Sequence, residues 1–334
     1  MRKVVLLYNP IAGKNRERRR ADVEAASQVL RAAGIDAQPV ATRAPGSAGD
    51  QAREAIVEGY DTVLACGGDG TIHDVVQGMA GSDTPVGVIP LGTGNSLAND
   101  LKLSRNPARA AQTILASEPR RITLGKVECP ERGTGRQGAH YFIAIAGAGV
   151  DARMLYQMNV AAKQRQGMAA YYGEALHLFL THRFQRFEVE CCDLQGDAHR
   201  LKVTQVMAVR LRQFGGVLRW LAPDADLEKD ELQLILFRTA SRVSYCLYLL
   251  RALLEQRWKT PGVDVVCARE AVCRPIAGEP SGNIYAEADG ELLGGLPVRF
   301  STVPNALTLL VPKSSVVGSR SSAKAGADED RNGR

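Results

Sequence analysis

Aromatic residues are scarce in this sequence, where Phe, Trp and Tyr together make up 5% of 334 residues. Proteins that bind single-stranded nucleic acid stack the bases on aromatic side chains within a basic groove. No basic and aromatic stripe of that kind runs along the chain. We therefore expect no nucleic-acid partner.

Cysteine pairs at metal or redox spacing are also missing. The seven cysteines include no C-x-x-C pair, and none lies at zinc spacing from a histidine. We interpret them as reduced, mostly structural thiols.

Long hydrophobic runs are absent as well. The apolar part of the opening MRKVVLLYNP is too short for a signal sequence. The most apolar helical stretch, Tyr245 to Leu254, contains Arg251 and is shorter than the about 20 residues that cross a bilayer. These absences predict a cytoplasmic protein whose contact with a membrane is peripheral.

The composition indicates a folded chain that favours anionic partners. Its length and its 45% hydrophobic residues suit two domains better than one. The formal net charge of +6 favours a nucleotide, acidic lipids or nucleic acid, and the charge alone does not choose among them.

Residues 1–124 repeat a strand, a glycine-bearing loop and a helix. Buried strands are predicted at Val4 to Tyr8, Thr62 to Ala65 and Val86 to Ile89. Strands that alternate with helices predict a doubly wound parallel sheet, whose ligands bind at the carboxyl ends of the strands.

Residues 125–313 have a different pattern, in which short β runs are bounded by Gly, Asp and Pro. This pattern predicts a mostly β second domain, interrupted by helices around Ala169 to Leu180 and Ser241 to Gln256. Residues 314–334 have almost no large apolar side chain, and we predict a disordered tail.

Two glycine-rich loops follow neighbouring strands, at Gly67 to Thr71 and Pro90 to Ser96. Glycines allow the backbone to approach a phosphate, whereas Asp69 among them would repel it unless a cation lies between. The pattern therefore indicates Mg²⁺ or a reacting hydroxyl near Asp69. Helix capping by Asp69 and Thr71 is the alternative, but capping does not explain the whole cluster.

Three other segments carry weaker signals. Asn9 to Lys14 follows the first strand and suits either a phosphate loop or an ordinary turn. His73 and Asp74, in the first turn of a helix, are equally consistent with a solvated turn. Ala288 to Glu291 places two carboxylates around a turn glycine, which an ordinary hairpin would also do.

Six segments in order carry a family resemblance: NPIAGK, GGDGTIHDVVQG, PLGTGNSLANDL, GAGVDA, FGGVLRWLAPDA and ADGELLGGLPVRFSTVPNALTLLVP. They resemble the diacylglycerol kinase catalytic-domain family over Val4 to Pro312, with the greatest similarity to the bacterial YegS-like and DgkB-like lipid kinases. Sphingosine and ceramide kinases are similar too. GGDGT alone is shared with NAD kinases and, in similar form, phosphofructokinases.

The resemblance implies a nucleotide-binding α/β domain, a C-terminal β-sandwich domain and an active site in the cleft between them. It also implies ATP and Mg²⁺ as cofactors and a lipid hydroxyl as acceptor of the γ-phosphoryl group. The positions that match ATP-contacting segments are Asn9, Gly13, Lys14, Thr42, Gly67, Gly68, Asp69, Gly70, Thr71, Ile72, His73 and Thr93. Asp69 matches the aspartate near the phosphates and the metal, and Glu291 matches the family's proposed proton acceptor.

Two positions depart from the family pattern. Ser96 stands where many members have Asp, so a second carboxylate near the nucleotide is missing. Pro223 to Leu232 replaces an Asp-Asp-Gly turn associated with a structural Mg²⁺, and Lys229 lies near the metal-associated position. The sequence does not decide whether this structural metal is present.

Phosphoryl transfer requires that the attacking and leaving oxygens lie in line and that the negative charge of the transferring group is neutralised. Loop amides and Lys14 would hold the triphosphate, Asp69 would orient Mg²⁺ or the acceptor, and Glu291 would accept the proton. The alternatives are a kinase of a soluble acceptor such as NAD and a non-catalytic nucleotide-sensing module. Diacylglycerol, phosphatidylglycerol, a sphingoid base and ceramide all stay open as the lipid, and a homodimer is possible.

Two segments of the second domain mix aromatic and basic residues, as membrane-interface contacts do. One is His177 to Phe187. The other contains Arg210, Arg212, Phe214, Arg219 and Trp220. They predict reversible binding to anionic membranes, and the alternative is that the aromatics are core and the arginines a solvated face.

Overall fold

The computed structural model describes residues 1–10, 18–150, 184–213, 221–279 and 284–313. Within these ranges the chain forms six helices and fifteen strands. The predicted helix at Ala169 to Leu180 and the predicted disordered tail lie outside the described residues.

The N-terminal elements, in chain order, are β1 (Lys3–Tyr8), α1 (Arg19–Ala32), β2 (Asp36–Ala41), α2 (Ala48–Val57), β3 (Thr62–Gly67), α3 (Asp69–Met79), β4 (Val86–Pro90), α4 (Ser96–Asp100) and α5 (Pro107–Leu115). The elements that follow are β5 (Ser117–Pro130), β6 (Gln137–Phe142), β7 (Ile145–Gly149), β8 (Phe187–Asp193), β9 (Ala198–Val203), β10 (Gln205–Val209), β11 (Leu232–Phe237), α6 (Arg242–Leu253), β12 (Val263–Arg274), β13 (Tyr285–Ala288), β14 (Glu291–Gly295) and β15 (Val298–Pro312).

A parallel sheet in the order β2-β1-β3-β4 forms the centre of the N-terminal part. Successive residues of a strand face opposite sides, so a strand covered on both sides is apolar throughout. Val4 and Leu6 pack in one hydrophobic cluster with α1 and α5, whereas Val5 and Leu7 pack in another with α2 and α3. Helices therefore cover both faces, which confirms the predicted doubly wound fold.

A β-sandwich forms the second part of the molecule. The antiparallel strands β13, β7, β10, β11 and β12 lie side by side. They share a buried hydrophobic cluster with β5, β6, β8 and β15, into which Phe142, Phe187 and Phe300 insert fully buried rings. This arrangement confirms the predicted C-terminal β-sandwich.

Two long strands connect the two parts. β5 and β15 pair antiparallel from Glu128 opposite Arg299 to Ser117 opposite Pro312. β15 also lies parallel to β4, with Leu309 opposite Val86. The predicted boundary between residues 124 and 125 lies inside β5, and this division of the chain stays a prediction.

Candidate active site

The two glycine-rich loops contact each other at the carboxyl ends of β3 and β4. The Leu91 N–H donates a hydrogen bond to the Gly67 carbonyl at 2.8 Å. A Cβ atom on Gly92 would lie 2.4 Å from the Cα of Gly68, so the loops approach at a distance that a side chain would prevent. The Asn95 side chain closes the second loop on itself through two hydrogen bonds to the Gly92 backbone, at 2.8 and 2.9 Å.

Asp69, the first residue of α3, bridges the two loops. Its Oδ1 accepts a hydrogen bond from the backbone N–H of Ser96 at 2.7 Å, which joins it to α4 rather than to its own helix. A Cβ on Gly94 would lie 2.5 Å from Oδ2, so glycine leaves that carboxylate oxygen uncovered. The helix dipole of α3 also stabilises a negative charge at this position.

A cavity of about 90 Å³ lies beside Asp69, between the two parts of the molecule. Its walls are Asp69, Ile72, Ser96 and Leu97 from the N-terminal part and Ile143, Ala144, Asp289 and Gly290 from the sandwich. The cavity therefore lies in the predicted cleft, next to the residue that sequence analysis places at the centre of the site.

The sandwich contributes a tight hairpin to this cavity. β13 and β14 are joined by Asp289 and Gly290, whose positive φ angles of 49° and 89° fit a type I′ turn. The Asp289 carboxylate accepts hydrogen bonds from the backbone N–H groups of Ile143, Ala144 and Ile145 at 2.9 to 3.1 Å. The segment is thus a hairpin, as the alternative interpretation has it, and it is anchored in the cleft. Glu291 follows the turn and is exposed.

His73 connects α3 to that hairpin. Its Nδ1 lies 3.4 Å from Asp289 Oδ2 and its Nε2 lies 3.4 Å from Gln77 Nε2, with 5% of the residue exposed. One turn on, the Gln77 side chain makes two hydrogen bonds to the Tyr141 backbone, at 2.7 and 2.9 Å. The solvated-turn interpretation is wrong for His73. Sequence reasoning missed Gln77 and the contact of Asp289 with His73, although the i,i+4 spacing of His73 and Gln77 places both polar side chains on one face of α3.

Burial and neighbouring charges have opposite effects on the pKa of His73. Burial lowers the pKa of its imidazole, but the hydrogen bond and negative charge of Asp289 outweigh burial, so the pKa is raised above its usual value. The nearby charges of Asp74 and Glu291 add to this increase. Burial in turn raises the pKa of the Asp74 carboxyl, which the Glu291 charge raises further. Glu291 therefore lies near His73 and Asp74, in the second turn of α3.

Replacing His73 with Gln should weaken the fold most at low pH. Protonated His73 stabilises the folded state, because its pKa there is higher than in the unfolded chain. This stabilisation is fully present below the unfolded-state pKa of about 6.5, and it is lost as the pH rises through the folded-state pKa. At low pH we expect the free energy of unfolding to be about 1 kcal/mol higher for wild type than for His73→Gln. Urea unfolding at about pH 5.5 and about pH 9 measures the difference. His199→Gln, which removes a partly exposed pair with Asp193, is the control. An equal difference at both pH values would contradict a charged His73.

The predicted nucleotide contacts that the structure describes lie along the carboxyl edge of the parallel sheet. Asn9 follows β1, the Thr42 N–H donates to the Tyr8 carbonyl at 2.8 Å, and Thr93 is exposed in the second loop. Gly67, Gly68, Asp69, Gly70, Thr71 and Ile72 form the end of β3 and the start of α3. Gly13 and Lys14 lie outside the described residues. Contact of these residues with ATP stays a prediction.

Arg210 contacts the segment Pro223 to Leu232, where the family resemblance implies a structural metal. Its guanidinium donates hydrogen bonds to the backbone carbonyls of Thr123, Leu227, Lys229 and Glu231, and the residue is 1% exposed. Burial lowers its pKa to about 10, which still leaves it charged near neutral pH. Among the described residues, no three His, Cys, Asp or Glu side chains are grouped to bind a metal. The carbonyls of this loop therefore hold an arginine, and the residues do not fit a structural Mg²⁺.

Arg210→Met should strongly destabilise the protein, because it keeps much of the volume but leaves four carbonyls without their donor, of which those of Thr123 and Leu227 are buried. We expect a loss of about 3–5 kcal/mol in the free energy of unfolding, the usual cost of breaking a buried charged contact. Urea denaturation measures it, with Arg200→Met on the exposed β9 as the control. EDTA should leave the melting temperature of the nucleotide-free wild type unchanged. A decrease of several degrees would point to a metal in this loop.

The structure also bears on the two predicted membrane segments. Phe187 is fully buried, and the Phe184 ring packs against Tyr245 at 5.0 Å between centroids. Arg210 is buried, and Arg212 donates to Asp226 at 2.9 Å. The membrane interpretation is wrong for Phe187 and Arg210. Residues 177–183, Phe214, Arg219 and Trp220 lie outside the described residues.

Comparison with known proteins gives matches over both parts of the molecule. Residues 3–127 match the family model described as diacylglycerol kinase catalytic domain. Residues 144–311 match the model described as YegS C-terminal NAD kinase beta sandwich-like domain.

Similar proteins cover almost the whole chain. The diacylglycerol kinase of Bacillus subtilis (strain 168) is 27% identical over 316 residues, which is 94% of this chain and 97% of that protein. That of Staphylococcus aureus (strain bovine RF122 / ET3-1) is 26% identical over 317 residues and 93% of each chain. A crystal structure of a diacylglycerol kinase from Bacillus anthracis str. Sterne is similar in fold, with a TM-score of 0.68 at 18% identity over 94% of this chain and 98% of that one.

Proposed function

The chain belongs to the diacylglycerol kinase catalytic-domain family, and from this membership and its cleft we propose that it is an ATP-dependent lipid kinase. The reaction would move the γ-phosphoryl group of ATP to a lipid hydroxyl. The observation that carries the proposal is the position of Asp69, which bridges two glycine loops and lines a cavity closed by the Asp289 hairpin.

The N-terminal loops would bind the triphosphate. Glycines at Gly68 and Gly92 bring two stretches of backbone together at the carboxyl edge of the sheet, where N–H groups and the α3 dipole attract phosphate oxygens. Lys14, from the first loop, would add a positive charge.

Asp69 suits a catalytic Mg²⁺. Mg²⁺ is commonly held by one or two carboxylates together with substrate phosphates and water. Asp69 offers Oδ2, which the missing Cβ of Gly94 leaves uncovered, while Oδ1 is fixed by the Ser96 amide. When bound, the ion would offset the negative charge of the phosphoryl oxygens. Ser96 supplies no carboxylate, so Asp69 would be the main protein ligand.

Glu291 would accept the proton of the lipid hydroxyl. It follows Gly290, which lines the cavity, and its exposure leaves it able to meet a substrate that enters from outside. The hydrogen bonds of Asp289 to Ile143, Ala144 and Ile145 fix the hairpin, and so limit where the Glu291 backbone can move. A base held in this way contributes most when its distance to the hydroxyl is fixed in advance.

The enzyme would act at a membrane surface. In the described part of the chain, no helix is long and apolar enough to cross a bilayer. Because long-chain lipids do not leave a bilayer readily and ATP is cytoplasmic, we propose peripheral binding to the cytoplasmic face.

A panel of acceptors tests the function. Purified protein with ATP and Mg²⁺ is offered vesicles that contain diacylglycerol, phosphatidylglycerol, a sphingoid base or ceramide, and separately NAD or no acceptor. Mass spectrometry should find a phosphorylated lipid and ATP consumption that depends on that lipid. Phosphorylated NAD would favour a kinase of soluble acceptors. ATP binding without any product would favour a nucleotide-sensing module.

A further inference from the structure

Helix α6 presents an apolar face that no described element covers. Five large aliphatic side chains on it, and that of Leu254 directly after it, are 37% to 67% exposed: Val243, Leu247, Leu249, Leu250, Leu253 and Leu254. Val243, Leu247, Leu250 and Leu254 are spaced i, i+4, i+7 and i+11, so they lie on one face of the helix. Single exposed leucines are common on protein surfaces, whereas a row of them on one face marks an interaction site.

The opposite face of α6 already attaches the helix to the sandwich. The Tyr245 ring stacks on Phe237 with 4.1 Å between centroids, and the Tyr248 hydroxyl donates to the Leu221 carbonyl at 2.9 Å. Both tyrosines are buried. The outer leucines are therefore not needed to hold the helix in place, and their exposure requires another explanation.

The charges around α6 favour an anionic surface. Residues 238–260 contain five arginines or lysines and a single acidic residue, Glu255. Arg251 is buried on the inner face of α6, whereas three of the others are exposed: Arg238, Arg257 and Lys259. Arg238 and Arg257 form exposed ion pairs with Asp264 and Asp224, and such exposed pairs are weak. Trp258, just beyond the helix, is 40% exposed. An apolar helical face with Trp and basic residues beside it is the composition of helices that lie in the membrane interface.

The position of α6 connects it to the cleft. Tyr245, Tyr248 and Ala252 on its inner face belong to the same hydrophobic cluster as Ile72, Leu97 and Ile143, which line the cavity beside Asp69. A membrane bound to α6 would therefore lie on the side of the sandwich sheet that faces the cleft.

We propose that α6 is the membrane-contact helix of this protein, with its leucine face inserted in the interface of an anionic bilayer. The proposal rests on the proposed lipid kinase function for its biological purpose, although the surface itself can be tested separately. The other candidate occupants are a second copy of the chain and residues 151–183, which lie outside the described residues. The C-terminal residues 314–334 are a poor occupant, because Val316 and Val317 are their only large apolar side chains.

Vesicle binding tests the proposal without any assay of activity. A variant with Leu247→Gln, Leu250→Gln and Leu253→Gln removes apolar surface and no charge. Its control carries Val57→Gln in α2 and Leu194→Gln in the turn after β8, both of which are exposed. We expect wild type and control to sediment with phosphatidylglycerol vesicles at low salt. The affinity of the triple variant for these vesicles should be lower by roughly tenfold or more. Binding of the triple variant equal to that of wild type would overturn the proposal.

Trp258 offers an independent signal, since the chain has two tryptophans. In a Trp220→Phe background, Trp258 is the sole tryptophan, and its emission should shift to shorter wavelength with phosphatidylglycerol vesicles but not with phosphatidylcholine vesicles. An unchanged spectrum would contradict insertion. Sedimentation velocity separates the other occupant, because a wild-type dimer that the triple variant converts to a monomer would assign α6 to self-association.

Activity distinguishes a failure of this inference from a failure of the proposed function. If both hold, the triple variant should lose activity on vesicles but keep wild-type activity on a monomeric short-chain diacylglycerol. Vesicle binding without lipid phosphorylation would leave α6 as a membrane helix and refute the lipid kinase. Equal loss on both substrates would show that the variant damages the site instead.

Discussion

Asp69→Asn is expected to abolish phosphoryl transfer while leaving the fold intact. Asparagine keeps the shape and an oxygen for the Ser96 N–H, so the contact between the two loops is preserved. The lost negative charge removes the group that would hold Mg²⁺ beside the phosphates. We expect kcat to fall by roughly 10²–10³-fold or more, the effect of losing one electrostatic contact to a transition state in other enzymes.

Kinase assays with ATP and the lipid acceptor measure this effect, together with the melting temperature. Asp83→Asn is the matched control, because Asp83 is an exposed aspartate of the same α/β part that pairs with Arg121. Near-wild-type activity in an Asp69→Asn protein with an unchanged melting temperature would refute the assigned role of Asp69.

Glu291→Gln should lower turnover by about 10²–10⁴-fold, the usual contribution of a general base. The substitution preserves size and hydrogen-bonding ability but removes the proton acceptor. Because a base acts in the chemical step, ATP affinity should change little. Single-turnover rates and nucleotide titration separate the two effects, with Glu279→Gln, an exposed glutamate of the sandwich, as the control.

The opposite result would assign Glu291 another role. Weaker ATP binding with turnover preserved would make it a nucleotide contact, and the proton acceptor would have to be sought elsewhere in the cleft. Asp74 is one candidate, since burial raises the pKa of its carboxyl beside His73.

The parts of the site that depend on local pattern could be predicted from the sequence. Val4 to Leu7 form a continuous apolar run because β1 is covered on both faces. The glycines at Gly68 and Gly92 mark the close approach of two loops, which a Cβ on either side would obstruct. Pattern and glycine position are properties of a few neighbouring residues, so one sequence reveals them.

The contacts that join distant segments could not be predicted in the same way. His73 meets Asp289 across 216 positions, and Arg210 reaches the Thr123 carbonyl across 87. Charged and polar residues are usually exposed, so burial of Arg210 or His73 follows only from the tertiary fold that surrounds them. Arg210 was assigned to a membrane surface for this reason: its type suggests exposure, while its environment supplies four carbonyls.

The pairing of β15 affects how this chain folds during synthesis and how a truncated fragment of it would behave. The open edge of β4 is covered by Leu309, and the Ile122 side of β5 by Leu307, both from the C-terminal end of the described chain. On the ribosome, the α/β half must wait for these residues before its sheet is complete. An expressed fragment that ends near residue 127 would leave an unpaired strand edge and bare apolar side chains, the conditions that favour aggregation. The two family-model segments are therefore separable in sequence but interdependent in folding.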